Sequence, residues 1–239
     1  LPTRKGCINR GPGLGIPIFE RCEFWKPPPP AKLGSMTSIR SFIKKLLKRE
    51  GKITIVSGLP RSGTSMMMSA LKAGGLSLLT DGLRQADPNN PKGYFEYEPV
   101  KRLPKGQTGW LLSAHGKAVK VISALLTDLP EDFNYQVIFM ERDLDEILAS
   151  QRRMLERSNK NEVKPIEDAQ LRRDYQAHLA AVKGWLNSQD WLSVLFISYN
   201  QVLHDPLAAF KKVDAFLEPR LDVAAMVQVV DPTLYREQK

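Results

Sequence analysis

A glycine-rich segment at residues 58–65 has the residue types of an anion-binding loop. Gly58 and Gly63 precede Thr64 and Ser65 at the spacing of the phosphate loop G-x-x-x-x-G-K-[ST], except that Thr64 replaces the lysine. Arg61 supplies a cation instead, and it can bind an oxyanion bidentately. Glycines let backbone N–H groups converge on anionic oxygens, and the helix that follows adds its N-terminal dipole. The spacing therefore predicts a phosphate-type site, although a purely structural glycine turn has a similar sequence.

A second candidate for anion binding lies about 80 residues later. The apolar run at 136–140 ends before Arg142, and Ser150 follows Arg142 by eight residues within a helical pattern. Two interpretations stay open for this segment taken alone. Arg142 binds an anion together with Ser150, or it pairs on the surface with Asp143 or Asp145 and Ser150 is only a small helix residue.

Three segments resemble sulfotransferases. The first is similar to the family's 5′-phosphosulfate loop, P-[KR]-S/x-G-T-[ST], through the run Pro60-Arg61-Ser62-Gly63-Thr64-Ser65. The second, VIFMERDLDEILASQ, resembles the element whose arginine and serine clasp a 3′-phosphate. The third places Tyr199 before Asp205-Pro206 and a helix ending at Leu217, as in family members whose tyrosine lies near the cofactor. Together the matches span residues 53–217 in the family's order.

The resemblance implies a reaction and a set of roles. The co-substrate would be 3′-phosphoadenosine 5′-phosphosulfate (PAPS), and the product 3′-phosphoadenosine 5′-phosphate (PAP). Arg61 would bind the 5′-phosphate and stabilise the leaving oxygen, with Ser62, Gly63, Thr64 and Ser65 completing the loop. Arg142 and Ser150 would bind the 3′-phosphate. A hydroxyl or amine of a small-molecule, carbohydrate or peptide acceptor would attack sulfur in line, and no metal is required.

The general base is the least determined residue. Cytosolic small-molecule sulfotransferases carry a histidine after a lysine-threonine pair, but the comparable stretch here, 119–123, contains Lys120 and no histidine. His115 lies just upstream and is one candidate, whereas His178 and His204 are interpreted as helix-surface and loop residues. A lone histidine is more often structural than catalytic.

A carboxylate is the other candidate for the base. Related branches that modify tyrosine or polysaccharides use a glutamate after the first helix, and four acids lie there, of which Glu96 ranks first: Asp81, Asp87, Glu96 and Glu98. The glycine-rich basic loop of cytosolic relatives is missing near the end of the sequence, where Arg236 is the nearest substitute. The sequence therefore resembles bacterial or carbohydrate-directed branches more than steroid and phenol enzymes.

Two other functions remain as alternatives. A P-loop small-molecule kinase would use ATP, with Ser65 on Mg²⁺ and Glu141 or Asp143 as the acidic ligand, and Thr64 in the lysine position counts against it. A non-catalytic, membrane-associated nucleotide-binding protein would use a basic amphipathic helix at 37–49. Such a helix lies more often on its own domain with its basic face in water.

The elements that would carry these residues alternate between strand and helix. Apolar runs predict strands at 53–56, 118–122, 136–140 and 192–198, each suited to a parallel sheet buried on both faces. Helical patterns follow the loop up to Gly74 and occupy 144–157, 166–187, 206–217 and 221–229. This order predicts a doubly wound, mostly parallel α/β sheet with helices on both faces and right-handed crossovers, like the P-loop sulfotransferase fold.

Charge and composition divide the chain into three parts. Residues 1–35 are rich in glycine and proline and predict a disordered or non-native leader, 36–50 a basic amphipathic helix, and 51–239 one domain. We expect the natural chain to start at Met36. Residues 1–52 account for the whole net charge of +9, so the remaining chain is neutral and a nucleic-acid-binding body is disfavoured. Cys7 and Cys22 are too few for a disulfide framework and say little about the compartment. The sequence contains no apolar run of 18 residues and begins without a signal-peptide pattern, so we predict a soluble, cytoplasmic protein.

Overall fold

Four parallel strands form one sheet in the computed structural model, which describes residues 51–87, 90, 93–157 and 168–231. The strands are β1 (Ile53–Gly58), β2 (Ala118–Lys120), β3 (Tyr135–Glu141) and β4 (Leu192–Ser198), and their order in the sheet is β2-β1-β3-β4. Every neighbouring pair is parallel. The predicted parallel α/β sheet is confirmed. The predicted leader and the basic helix at 36–50 lie outside the described residues.

Six α-helices and three 3₁₀ segments surround the described sheet. The α-helices are α1 (Thr64–Ala73), α2 (Leu144–Arg157), α3 (Asp168–Ser188), α4 (Tyr199–His204), α5 (Pro206–Phe216) and α6 (Val223–Gln228). The 3₁₀ segments are Glu98–Lys105, Gly109–Ala114 and Ser123–Asp128. Because 3₁₀ turns carry no amphipathic period of 3.6 residues, the sequence patterns did not predict these three segments.

Two hydrophobic clusters cover the two faces of the sheet. Successive strand residues point to opposite faces, and Ile55 accordingly belongs to one cluster and Val56 to the other. Helices α1, α5 and α6 cover the face of Val56 with side chains that include Met67, Phe210 and Met226. Helix α3 and the 3₁₀ segments cover the opposite face. All six residues of β1 are buried, including the polar residues Thr54 and Ser57, as expected for a central strand covered on both faces.

The predicted and observed boundaries differ where a side chain or turn ends an element. Strand β2 ends at Lys120 and not at residue 122. The Val121 N–H donates one further hydrogen bond to the backbone oxygen of Val56 in β1, and the chain then turns into the 3₁₀ segment that begins at Ser123. Helix α6 starts at Val223 because the Asp222 side chain accepts the backbone N–H of Ala225 and so caps the helix.

The carboxyl ends of all four strands lie at one edge of the sheet, because the strands are parallel. Lys120 is the last residue of β2, and Arg61, Arg142 and Tyr199 lie in or directly after the turns that follow β1, β3 and β4. Ligands of open α/β sheets bind at this edge. The fold therefore gathers residues from distant parts of the sequence into one region.

No helix within the described ranges is both long and apolar enough to cross a membrane.

Replacement of Gly58 tests the tight turn that leaves β1. Gly58 has a φ of 148°, and a Cβ there would lie 2.5 Å from Ser62 Oγ and 2.6 Å from the backbone oxygen of Met140. We expect Gly58→Ala to lower the free energy of unfolding by about 2–4 kcal/mol, through backbone strain and overpacking. Gly82→Ala is the control, because its φ is 67° and its Cβ would meet nothing within 4 Å. Equal losses in urea unfolding would contradict the packing argument.

His178 makes the stability of the fold depend on pH. The sequence predicted His178 to be a helix-surface residue, but the structure places its Nε2 2.9 Å from the Oγ of buried Ser123. Burial lowers the pKa of His178 below its ordinary value of 6.5, so the fold holds the imidazole neutral.

In the unfolded chain His178 binds a proton more readily than in the fold. Its contribution to stability is therefore complete above pH 6.5 and is lost as pH falls through the folded-state pKa. We expect His178→Gln to reduce the fall in unfolding free energy between pH 7.5 and pH 5, measured by urea titration. Exposed His204 provides the control variant, His204→Gln. A fall that is unchanged in His178→Gln would show that other groups carry the pH dependence.

Candidate functional site

The loop between β1 and α1 has the left-handed backbone that its glycines predict. Gly63 has a φ of 97°, and a Cβ there would lie 2.4 Å from the ring of Tyr199. Glycine is thus required both by the backbone conformation and by the approach of a tyrosine from the end of β4. Arg61 also has a positive φ, 72°, although it carries a side chain. A strained residue of this kind costs about 1–3 kcal/mol and is typical of functional loops.

The Arg61 side chain reaches the second predicted motif. Its Nε donates a hydrogen bond of 3.0 Å to Ser150 Oγ, 89 residues later in the sequence. Burial is the main cause that lowers the pKa of Arg61, and nearby Arg142 lowers it further. An arginine does not lose its proton in proteins, so Arg61 stays charged despite its burial and the neighbouring cation. An anion bound beside it would offset this unfavourable electrostatic energy.

Arg142 is held on three sides. Its Nε donates to Glu146 Oε2 over 2.9 Å, and its Nη1 donates to the backbone oxygen of Arg61 over 3.0 Å. The centre of its guanidinium lies 4.4 Å from the ring centroid of Tyr199. The partner acid is Glu146, whereas the sequence suggested Asp143 or Asp145. The structure thus brings together Arg61, Arg142, Ser150 and Tyr199, all four named from the sequence.

Ser65, at the other end of the loop, meets a lysine that the sequence analysis did not select. Its Oγ accepts from Lys120 Nζ over 3.2 Å and from Asn90 Nδ2 over 2.9 Å. Lys120 Nζ also donates to the backbone oxygen of Tyr94 over 2.6 Å. Lys120 could have been selected from its position at the end of a predicted buried strand, because a lysine is rarely buried unless it has a partner. The sequence analysis had considered that strand only for its missing histidine.

Loss of hydration dominates the electrostatics of Lys120. It lowers the lysine pKa to about 8, and Arg84 and Arg61 lower it in the same direction, whereas Glu96 raises it. Lys120 therefore changes its charge in a pH range where ordinary lysines remain fully protonated.

A segment after α1 covers this side of the loop. Arg84 forms an ion pair with Glu96 over 2.8 Å, and its guanidinium lies 3.4 Å from the ring centroid of Tyr94. The Tyr94 hydroxyl donates to Asp87 over 2.7 Å. Glu96, the first-ranked base, therefore lies near Lys120 and is half-buried. Exposed Glu98 pairs instead with Lys101, and Asp81 accepts the backbone N–H of Glu98.

The structure does not bring His115 to this site. His115 precedes β2, where Gly116 bonds to the backbone oxygen of Lys52 before β1, and its ring centroid is 5.6 Å from that of Phe133 before β3. It thus lies at the amino-terminal edge of the sheet, whereas the loop lies at the carboxyl-terminal edge. The two edges are separated by the length of β1, which is about 17 Å. The candidate assignment of His115 as a base is corrected by this placement.

A cavity of about 350 Å³ opens beside the loop. Ser62, Arg142 and Asn200 line it together with apolar side chains, and the charged residues Glu141, Asp143 and Lys183 complete its wall. The Ser62 hydroxyl is buried and has no hydrogen-bond partner among the described residues. This space is large enough to admit a phosphate-sized group next to Arg142.

Comparisons with known proteins give matches only among solved structures. No protein-family model matches the sequence, and no curated protein matches it. The chain is similar to a mouse sulfotransferase complexed with PAP, with a TM-score of 0.49, 17% identity, and coverage of 86% of this chain and 73% of that one.

Two further structures give similar values. A sulfotransferase domain from the curacin biosynthetic pathway has a TM-score of 0.46 and 13% identity, covering 76% of this chain and 78% of that one. A sulfotransferase from Mycobacterium avium has a TM-score of 0.47 and 13% identity, covering 84% and 73%. All three TM-scores lie below 0.5.

The pKa of Lys120 can be measured without any ligand. With ¹³C-labelled lysine, we expect one Cε resonance to titrate near pH 8 and to be missing in Lys120→Arg. Arg84→Met should raise this pKa because it removes a neighbouring cation, whereas Glu96→Gln should lower it further. Shifts in the same direction for these two variants, or a Lys120 resonance that titrates only above pH 10, would contradict the described environment.

Proposed function

We propose that this chain is a sulfotransferase that moves the sulfuryl group of PAPS to a hydroxyl or amine acceptor and releases PAP. The observation that carries the proposal is the contact between two motifs about 80 residues apart. Arg61 Nε bonds to Ser150 Oγ, and Arg142 Nη1 bonds to the Arg61 backbone oxygen, both over 3.0 Å. One cluster thus contains the residues that the resemblance assigns to both phosphates.

The donor set fits a ligand with two phosphate groups. Arg61 and Arg142 offer planar guanidinium groups suited to phosphate oxygens, and the left-handed loop presents backbone N–H groups at the start of α1. The burial of Arg61 and its proximity to Arg142 add an unfavourable charge energy that an anion would offset. The proposed roles are Arg61 with the loop for the 5′ end, and Arg142 with Ser150 and Tyr199 for the 3′ end.

The proposed chemistry is an in-line displacement. The acceptor atom bonds to sulfur, the bond from sulfur to the bridging oxygen breaks, and the electron pair leaves with the phosphate of PAP. Arg61 and the loop amides would stabilise that phosphate, and the Lys120 ammonium beside Ser65 adds positive charge on the same side. Glu96, which lies near Lys120, remains the proposed base for the acceptor proton, and it would leave its ion pair with Arg84 to accept that proton. The acceptor itself is proposed only as a small molecule, carbohydrate or peptide.

The kinase alternative fits the same residues less well. Ser65 Oγ, its proposed Mg²⁺ ligand, already accepts from the Lys120 amine, and a second cation at that oxygen would be repelled. Asp143 accepts backbone N–H groups at the start of α2, and Glu141 forms an ion pair with Lys183. Both acidic candidates are therefore engaged in contacts that stabilise the fold.

Calorimetric titration with PAP, and with ATP plus Mg²⁺, tests the proposal. We expect wild-type protein to bind PAP without metal and to prefer it to ATP. Arg61→Ala should weaken PAP binding about a hundredfold or more, and Arg142→Ala about tenfold, because each removes a charge-assisted contact. Arg220→Ala, at an exposed arginine away from the loop, is the matched control.

Preference for ATP with Mg²⁺ would overturn the sulfotransferase proposal in favour of the kinase. Turnover of labelled PAPS with carbohydrate, phenol and peptide acceptors then separates an enzyme from a binding protein. Transfer to none of the three classes, despite PAP binding, would contradict the proposed reaction.

A further inference from the structure

Glu146 is a buried carboxylate at the centre of the cluster. Its side chain is 5% exposed, and it lies on the first turn of α2. It accepts from Arg142 Nε over 2.9 Å with Oε2 and from Asn200 Nδ2 over 2.8 Å with Oε1. The two donors come from different elements, the end of β3 and the start of α4. Burial of a carboxylate is costly unless it is paired, and Glu146 has a donor for each oxygen.

The contacts of Glu146 determine the direction of the Arg142 guanidinium. A guanidinium is planar and carries its N–H donors in fixed directions. Contacts that hold one edge and one face therefore also determine where its other N–H groups point. Glu146 binds Nε, the Arg61 backbone oxygen binds Nη1, and the Tyr199 ring covers one face. Arg142 and Asn200 both line the cavity beside the loop.

Charge and orientation predict opposite effects for Glu146 on anion binding. As a negative charge next to Arg142, Glu146 reduces the attraction of this site for a phosphate, and its removal would strengthen binding. As the group that orients Arg142, it directs the donors that a phosphate would meet, and its removal would weaken binding. The fixed geometry on three sides of Arg142 favours orientation as the larger effect.

We propose that Glu146 is a positioning residue that makes the site select nucleotides carrying a 3′-phosphate, and that it acts through Arg142. This inference rests on the proposed function, in which Arg142 binds that phosphate. Asn200 belongs to the same arrangement, because its amide orients Glu146 from the side of α4.

Paired titrations with PAP and with AMP, which lacks the 3′-phosphate, test the inference. In wild-type protein we expect PAP to bind more tightly than AMP. In Glu146→Gln the PAP-to-AMP affinity ratio should fall about tenfold while AMP affinity changes less than about twofold, because one oriented contact to a charged group is lost. The glutamine keeps one acceptor for Arg142 but loses the negative charge, and Asn200 must turn its own amide oxygen toward position 146 to keep a hydrogen bond. Asp145→Asn, at the exposed neighbouring acid on α2, is the matched control and should leave the ratio unchanged.

A reversed pair provides the rescue. In the double variant Glu146→Gln/Asn200→Asp, the side-chain amide at 146 accepts from Arg142 and donates to the new carboxylate at 200, so both hydrogen bonds and one negative charge return. We expect this variant to recover most of the PAP-to-AMP ratio. If the single variant does not fold, as judged from its melting temperature, the folded double variant is compared with wild type directly.

The outcomes separate the two proposals. Equal weakening of PAP and AMP in Glu146→Gln would show a structural role only and overturn the inference. An increase in PAP affinity would show that charge dominates and would also overturn it. A folded double variant that has lost its selectivity would do the same. Wild-type protein that binds PAP no better than AMP would instead overturn the proposed function itself.

Discussion

Positive charge concentrated at one edge of a parallel sheet is the constraint around which this structure is organised. Arg61 lies in the loop after β1, and Arg142 and Lys120 approach it from the ends of β3 and β2. Arg142 raises the electrostatic energy of Arg61, and Arg61 raises that of Lys120. Glu146 compensates Arg142 directly, and a tyrosine ring covers its guanidinium. Within the described part of the chain, Lys120 donates hydrogen bonds only to a hydroxyl and a backbone oxygen, and Glu96 lies nearby. The positive charge of Arg142 is thus balanced by a direct ion pair, whereas that of Arg61 and Lys120, along the loop, is balanced less completely.

The sequence predicted the parts of the fold that follow from hydrophobic periodicity. Strand β4 and helix α2 have the predicted bounds, because each is a long run of one period. The three 3₁₀ segments and the short helix α4 were not predicted. The 3₁₀ segments pack against one hydrophobic cluster and α4 against the other, so their conformation depends on tertiary contacts that no local pattern contains.

The site was predictable where a motif fixes the backbone and less so where side chains meet from separate elements. The glycine loop, Arg142, Ser150 and Tyr199 were selected by spacing and resemblance, and the structure brings them together. Lys120 and Glu146 were missed, since their roles arise only when β2 and α2 are placed beside the loop. His115 was selected by proximity in sequence to β2, but it precedes that strand. Because β1 and β2 are parallel, the start of β2 lies at the edge of the sheet opposite the loop that follows β1.

Tyr199 and Asn200 are consecutive residues directly after β4, and each contacts a different partner of the cluster. The tyrosine ring abuts Gly63 and covers Arg142, while the asparagine amide reaches Glu146. In a helix each residue is rotated by about 100° from the one before, so inserting or deleting one residue here would turn both side chains away together. The junction between β4 and α4 therefore tolerates no change in length. Insertions are compatible instead with exposed positions that contact none of these residues, such as 218–220 between α5 and α6.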